Sequence, residues 1–496
     1  MMKKNYICIL WVLLTALFVC QIMPAFSQNS ENNASSGDDL KDVKMTVTAG
    51  GSDINVTAVT GLMPMDTDLG TYEIFFTAYT ADDAEDPSQR PITFAFNGGP
   101  GSASYWLHLG LLGPKRIALS PEGMVEKVPT GVKENELSLL DMTDLVFIDP
   151  IGTGYSRATG ETENSVFYSY ENDISSVGDF IRQYLSRYDR MSSSKYLIGE
   201  SYGTTRAVGV CSYLEKQYII NLNGLILVSS ANDFTELLFA EGNDIPYVNY
   251  LPTYAATARY HQKADEKYLD MPLEDFLEEV RVFAAGDYLS ALYQGSRLSE
   301  EKRNDIAERM SGYIGLPENL ILKNNLRLDN LTFLSELLSD RNLMVGRYDS
   351  RYTGPATTGE NDPSSNGIDE AFISAYLDYV SRTLGYKTDR PYNGFSTNIP
   401  SQWQFGSDNS FLAQEDVIRD ILSRNKFLKI WVLCGYYDVA TPFFGAEWVF
   451  SHVFENEELK DNVSFTYYPA GHMFYLIDDC LSQFRQDAEA WFRGER

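Results

Sequence analysis

The sequence predicts an α/β fold built on a mostly parallel central sheet with an inserted, largely helical cap, and three observations carry that prediction. Short continuous apolar runs recur at Ile92–Phe96, Leu145–Asp149, Tyr196–Ile198, Leu225–Val228, Ile430–Leu433 and Phe465–Tyr468. Unbroken runs suit strands buried on both faces, as in a parallel sheet covered by helices. Between them Tyr170–Tyr188 and Thr204–Gln217 place apolar residues at helical spacing, so the repeating unit is strand, helix, strand. The rhythm stops from 232 to 395, where Leu273–Ala284, Glu300–Ser311 and Asn330–Asp340 are rich in helix formers and Thr353–Gly367 is rich in turn residues.

The elements before this core follow from their own patterns. Lys3 and Lys4, an apolar stretch from Tyr6 to Val19 and the small-residue pattern Ala25-Phe26-Ser27 read as a signal peptide over 1–27, which implies a secreted or periplasmic protein with no stable membrane insertion after cleavage. Residues 28–42 are polar and aperiodic and read as a disordered leader. Val43–Thr48, Ile54–Val59 and Tyr72–Ala78 group β-formers around Gly50-Gly51 and Gly61, giving an antiparallel ribbon at the sheet edge. The core then runs over 43–231 and resumes over 396–496, with the cap at 232–395.

Charge and cysteine content exclude several functions. The chain carries 40 Lys and Arg against 69 Asp and Glu, a net charge of −29, so nucleic acid and anionic membranes are poor partners. Beyond the signal segment only Cys211, Cys434 and Cys480 remain, with neither CxxC nor Cys/His spacing for zinc, so no metal and no cofactor is expected.

The chemistry begins at Gly199-Glu200-Ser201-Tyr202-Gly203, which follows an apolar strand and precedes a helical stretch. That order suits a nucleophile elbow, in which a serine is exposed on a strained turn and flanking glycines let strand and helix pack closely. A serine hydroxyl needs a base and an acid that orients the base. In an α/β hydrolase the chain order is nucleophile, acid, base, with the histidine in a C-terminal loop. Of four histidines only His472, in Pro469-Ala470-Gly471-His472-Met473 after the last apolar run, fits that order; His108 precedes the serine, His261 lies in the cap and His452 in a helical stretch. Asp438 ends the run Ile430–Leu433 through Cys434-Gly435-Tyr436-Tyr437, the strand-end position for the acid. The oxyanion donors expected are the N–H groups of Tyr202 and of Gly99 in the loop Asn97-Gly98-Gly99-Pro100-Gly101. That loop lacks the Lys-Ser/Thr of a phosphate-binding loop.

Together, Phe96–Ser102, Ile148–Ser156 (Ile-Asp-Pro-Ile-Gly-Thr-Gly-Tyr-Ser), Gly199–Gly203, Asp438 and Gly471-His472-Met473 resemble the serine carboxypeptidases. The resemblance implies an exopeptidase acting on a peptide substrate through an acyl-enzyme, biased toward acidic pH, with Ser201, Asp438 and His472 as the triad. It also implies that Asn97 and Glu200 bind the substrate's terminal carboxylate, which requires a shared proton because two carboxylates in contact cannot both stay ionised. The chain departs from the family's best-known members at Ala95, where they have tryptophan, and at Leu111 before Gly113-Pro114, where they have glutamate. Compensation by Tyr105, Trp106 or a cap residue is one expectation. An esterase or acyltransferase using the same triad is the alternative.

Overall fold

Alternating apolar residues draw the N-terminal ribbon out as three long strands, β1 (Asp39–Ala49), β2 (Ser52–Thr67) and β3 (Gly70–Ala81), paired antiparallel in sequence order. The protein is described here from a computed structural model that covers residues 39–84, 86–356, 362–365, 367–406, 410–453 and 457–495. The signal segment lies outside the described residues. The expected leader does not extend to 42, because Asp39 to Asp42 already pair with Leu62 to Val59. An edge strand needs only its backbone to be paired, so polar side chains facing solvent hide it from a reading based on composition.

Six further strands continue the central sheet, β4 (Ile92–Phe96), β5 (Asp144–Ile148), β6 (Lys195–Glu200), β7 (Gly224–Val228), β8 (Lys429–Gly435) and β9 (Val463–Tyr468), and the two-residue strand Arg157–Ala158 pairs with β3 off this path. The order across the sheet is β1-β2-β3-β5-β4-β6-β7-β8-β9, antiparallel up to the β3–β5 pairing and parallel from β5 onward. Successive side chains point to opposite faces, and each face has its own core. Phe94, Val146, Leu197, Leu227 and Val432 pack with Val177, Phe180 and Val208 of the two helices α1 (Tyr170–Arg187) and α2 (Tyr202–Tyr218). Ala95, Phe147, Ile198, Ile226 and Trp431 pack on the other face with Leu109, Leu139 and Phe484. Helix α1 starts where the sequence provides a cap: the Ser169 hydroxyl accepts from the Asn172 N–H, with Glu171 and Asp173 in the first turn and Arg187 in the last.

The cap region divides between these two cores. Helices from Ile245–Tyr260 to Asn330–Glu336 share the core of the α1 and α2 face through Tyr250, Phe276, Tyr313 and Phe333. The helix Ile368–Arg382, expected in the cap, belongs to the opposite face, where Phe372 packs on Trp106 at 4.3 Å and the Tyr379 hydroxyl lies 2.9 Å from that of Tyr79. Its stripe of Phe372, Tyr376 and Tyr379 has the same spacing whichever layer it covers, so periodicity alone does not assign the face. No described helix is long and apolar enough to cross a membrane.

Candidate active site

The strand β6 delivers Ser201 to the C-terminal edge of the sheet. There the backbone turns through φ 59° and ψ −129° before α2 begins, a conformation outside the ordinary regions for a residue with a side chain. The flanking glycines permit it by close approach. A Cβ on Gly199 would stand 2.1 Å from the Gly203 carbonyl oxygen, and one on Gly203 would stand 2.8 Å from that of Phe96. The Ser201 N–H donates to the Val228 carbonyl at 2.9 Å, tying the turn to β7.

His472 and Asp438 reach the same edge from the loops after β9 and β8. His472 Nδ1 lies 2.7 Å from Asp438 Oδ2, with the histidine almost wholly buried and the aspartate wholly so. Asp438 Oδ1 accepts from the N–H groups of Ala440 at 2.8 Å and Thr441 at 2.9 Å, and Oδ2 accepts from the Thr441 hydroxyl at 2.7 Å. Three donors besides the histidine thus satisfy this buried carboxylate. Burial opposes charge on the His472 ring, but the charge and hydrogen bond of Asp438 outweigh it and hold the ring above its ordinary pKa. The loop carrying the histidine is fixed by the His472 N–H, which donates to the Tyr348 carbonyl at 2.6 Å, and by the Ser229 hydroxyl, which donates to the His472 carbonyl at 2.7 Å.

Ser201, His472, Asn97, Gly99, Glu200 and Tyr202 line one cavity of about 580 Å³. The N–H groups of Gly99 and Tyr202 find no acceptor among the described residues, so both are available to a ligand in that cavity. Gly98 lets their loops meet, since a Cβ there would stand 2.5 Å from the Tyr202 and Gly203 nitrogens. A serine and an imidazole lining one cavity, the imidazole's Nδ1 held by a carboxylate and two unused N–H donors in the same lining, is an arrangement capable of acyl transfer. The remaining histidines are occupied elsewhere: His108 bonds the Tyr79 hydroxyl in the core, His261 the Ser350 carbonyl, and His452 the Trp448 carbonyl.

Glu200 is wholly enclosed by this network. Its Oε2 accepts from Asn97 Nδ2 at 3.0 Å and from the Tyr475 hydroxyl at 2.7 Å, while Asn97 Oδ1 accepts from the Leu107 N–H at 3.0 Å. Both side-chain donors thus meet one oxygen, leaving Oε1 for the cavity. Burial pushes the Glu200 carboxyl up to about 7, against His472 and these hydrogen bonds, which favour its charged form. Beneath it Arg206 Nε pairs with Asp173 at 2.8 Å and the guanidinium also donates to the Asn97 carbonyl, with both side chains buried.

Three of these partners escape a motif reading. Tyr475, rather than Tyr105 or Trp106, bonds Glu200; it sits three residues after His472 and its ring covers Gly110, next to Leu111. Thr441 looks in the sequence like no more than a turn residue, and Arg206 is the one charge in the helix after the elbow before Glu215 and Lys216 near its end. A charged residue in such a helix is a usable signal of a buried pair.

Sheet order, elbow and cavity define an α/β hydrolase. The chain belongs to the serine carboxypeptidase family, whose sequence profile it matches over residues 50–468. It is 28% identical over 240 residues to the pheromone-processing carboxypeptidase KEX1 of Yarrowia lipolytica, covering 47% of this chain and 35% of that protein. It is 27% identical over 177 residues to a carboxypeptidase Y homolog of Arthroderma benhamiae, covering 35% of this chain and 32% of the relative. These matches span about a third of the curated relatives' own length. The crystal structure of KEX1(Δ)p, a prohormone-processing carboxypeptidase from Saccharomyces cerevisiae, shares the fold with a TM-score of 0.58 at 18% identity, over 89% of this chain and 92% of that one.

Proposed function

We propose that the protein is a carboxypeptidase that releases C-terminal residues from peptides through an acyl-enzyme on Ser201, outside the cytoplasm and with a bias toward acidic pH. The observation that carries this reading is the meeting of Ser201, the His472–Asp438 pair and the Asn97–Glu200 pair in one cavity. Ser201 Oγ attacks the last peptide carbonyl while His472 Nε2 takes its proton. The oxyanion forms against the Gly99 and Tyr202 N–H groups. His472 then passes the proton to the leaving amine, releasing the terminal residue, and a water activated by the same histidine frees the acyl group.

Glu200 supplies the preference for a free C-terminus. Protonated at Oε1, it donates to the substrate carboxylate, with Asn97 beside it. The competent state needs Glu200 protonated and His472 neutral, so this neighbouring pair acts when it holds one proton between them. Above about pH 7 the Glu200 proton is lost and recognition of the free acid falls. Export rests on the Lys3–Ser27 pattern.

The apolar, buried Ala95 and Leu111 favour a second reading, hydrolysis or transfer of neutral esters, since neither side chain assists a carboxylate. A fluorophosphonate probe tests the shared chemistry: labelling should map to Ser201 and vanish in Ser201→Ala. Labelling elsewhere, or none in a folded wild type, would remove Ser201 from the mechanism. Faster turnover of neutral esters than of peptides with free C-termini would favour the second reading.

A further inference from the structure

The cavity crosses the edge of the sheet, and its walls differ on the two sides of Ser201. On the Glu200 side it is lined by Tyr105, Trp106 and Ile373, which pack with the core of the Phe484 face. On the other side stand Phe239 and Tyr250, which pack with the core of the α1 and α2 face. If the terminal carboxylate lies at Glu200, as the proposed function has it, the leaving residue occupies the first side, and the residue before the scissile bond lies on the second.

That second side is mostly apolar, with the neutral polar residues Asn330 and Thr441 and, as its one charged residue, Arg347. The Tyr250 hydroxyl donates to the Ala440 carbonyl at 3.4 Å, and the N–H of the preceding residue, Val439, donates to the Arg347 carbonyl, which brings Tyr250 and Arg347 to one wall of the cavity. The guanidinium carbon lies 5.1 Å from the centre of the Tyr348 ring, and that ring lies 5.4 Å from the His472 ring. Its main chain is held from both directions: the N–H donates to Asp362 at 3.0 Å, and the carbonyl accepts from the Val439 N–H at 3.0 Å. Arg206, Arg190, Arg327 and Arg351 each have a carboxylate within 4.0 Å, but Arg347 has none among the described residues. Asp438 is no substitute, because its oxygens are already committed to Ala440, Thr441 and His472. Asp369, the other charged residue in the lining beside Glu200, acts on Tyr105 and, with Asp362, on Tyr348, but neither carboxylate pairs with the guanidinium. In a chain of net charge −29, a fixed guanidinium without a carboxylate, facing a substrate cavity, is a site awaiting an anion.

We propose that Arg347 makes the acyl-side pocket a receptor for an acidic side chain on the penultimate residue, so that peptides with glutamate or aspartate before the last residue are preferred. Phe239 and Tyr250 would cover the methylene stem of such a side chain, and the guanidinium would take its carboxylate through paired N–H donors. This assignment rests on the carboxypeptidase reading and adds the substrate class to it.

The test is kcat/KM at pH 6.5 for four blocked dipeptides with the same C-terminal leucine and penultimate Glu, Gln, Ala or Lys, using wild type, Arg347→Met and Arg347→Lys. A charge-assisted hydrogen bond predicts Glu over Gln by about 10- to 100-fold in wild type. The ratio should fall to near one in Arg347→Met and be partly kept in Arg347→Lys, and ratios within one protein are insensitive to how much of it is folded. A wild-type ratio near one overturns the proposal without any variant. A ratio that survives in Arg347→Met also overturns it, as does a loss there of the preference for free acid over amide, which would put the terminal carboxylate on Arg347. Cleavage of none of the four overturns the carboxypeptidase reading, and this one with it, whereas cleavage of all four at equal rates overturns this one alone.

Discussion

Replacing Tyr475 by phenylalanine removes one oxygen and leaves the ring over Gly110, where a Cβ would lie 2.4 Å from a Tyr475 ring carbon, so packing is kept. What is lost is the 2.7 Å hydrogen bond between two buried side chains, the Tyr475 hydroxyl and Glu200 Oε2. A hydrogen bond to a charged group contributes about 1.5–3 kcal/mol, and one pKa unit corresponds to about 1.4 kcal/mol. Because the tyrosine favours the ionised carboxylate, its loss raises the Glu200 pKa from about 7 by about one to two units. In the proposed mechanism protonated Glu200 recognises the substrate carboxylate. The kcat/KM ratio of free acid to C-terminal amide therefore falls near pH 7 in wild type and at a higher pH in Tyr475→Phe. The assay is that ratio from about pH 4 to 9 for one blocked dipeptide. A midpoint that stays in place or moves down would refute Tyr475 as the group that positions Glu200.

Three further expectations follow from the same geometry. Thr441→Val keeps the shape but removes a donor from Asp438, so kcat/KM should drop about tenfold and the His472 limb of the pH profile should move up, since a less solvated Asp438 attracts the imidazolium more strongly; an unchanged limb would exclude that role. In Gly98→Ala the new Cβ would meet the Tyr202 nitrogen at 2.5 Å, so turnover should fall on the order of 100- to 1,000-fold with the circular dichroism spectrum retained, and near-normal turnover would contradict the assigned oxyanion donors. Burial pushes both Asp149 and Glu200 up to about 7 from ordinary values of 3.8 and 4.5. Their contribution to stability is thus fully present below about pH 4 and lost as pH rises through about 7. Melting temperature should be higher at pH 5 than at pH 7.5; the opposite order would falsify this linkage.

Strands β4 to β8 were legible because burial on both faces forces unbroken apolar runs, β9 was legible from its β-formers although it is mostly half-buried at the sheet's edge, and the elbow, Asp438 and His472 could be proposed because each sits in a fixed relation to one of those strands. Asp39–Asp42 were not, because an edge strand needs no apolar side chains, and the layer that Ile368–Arg382 covers could not be read because a Phe372, Tyr376, Tyr379 stripe buries equally well against either face. Tyr475 and Arg206 stayed hidden for another reason. Their partners, Glu200 and Asp173, are 275 and 33 residues away, and such pairings exist only once the sheet has formed. The candidate catalytic residues are thus written locally, beside glycines and strand ends, while the groups that surround them are written in the tertiary packing.

The central claim, a carboxypeptidase whose acyl transfer runs through Ser201 and whose free-acid recognition runs through Glu200, is tested most directly by one comparison. A blocked dipeptide is offered as free acid and as C-terminal amide at pH 5 and pH 8, to wild type and Ser201→Ala. The account predicts a strong advantage of the free acid over the amide at pH 5, a much smaller one at pH 8, and no cleavage of either by Ser201→Ala. Equal rates on acid and amide at both pH values, or peptide cleavage that survives Ser201→Ala, would contradict it.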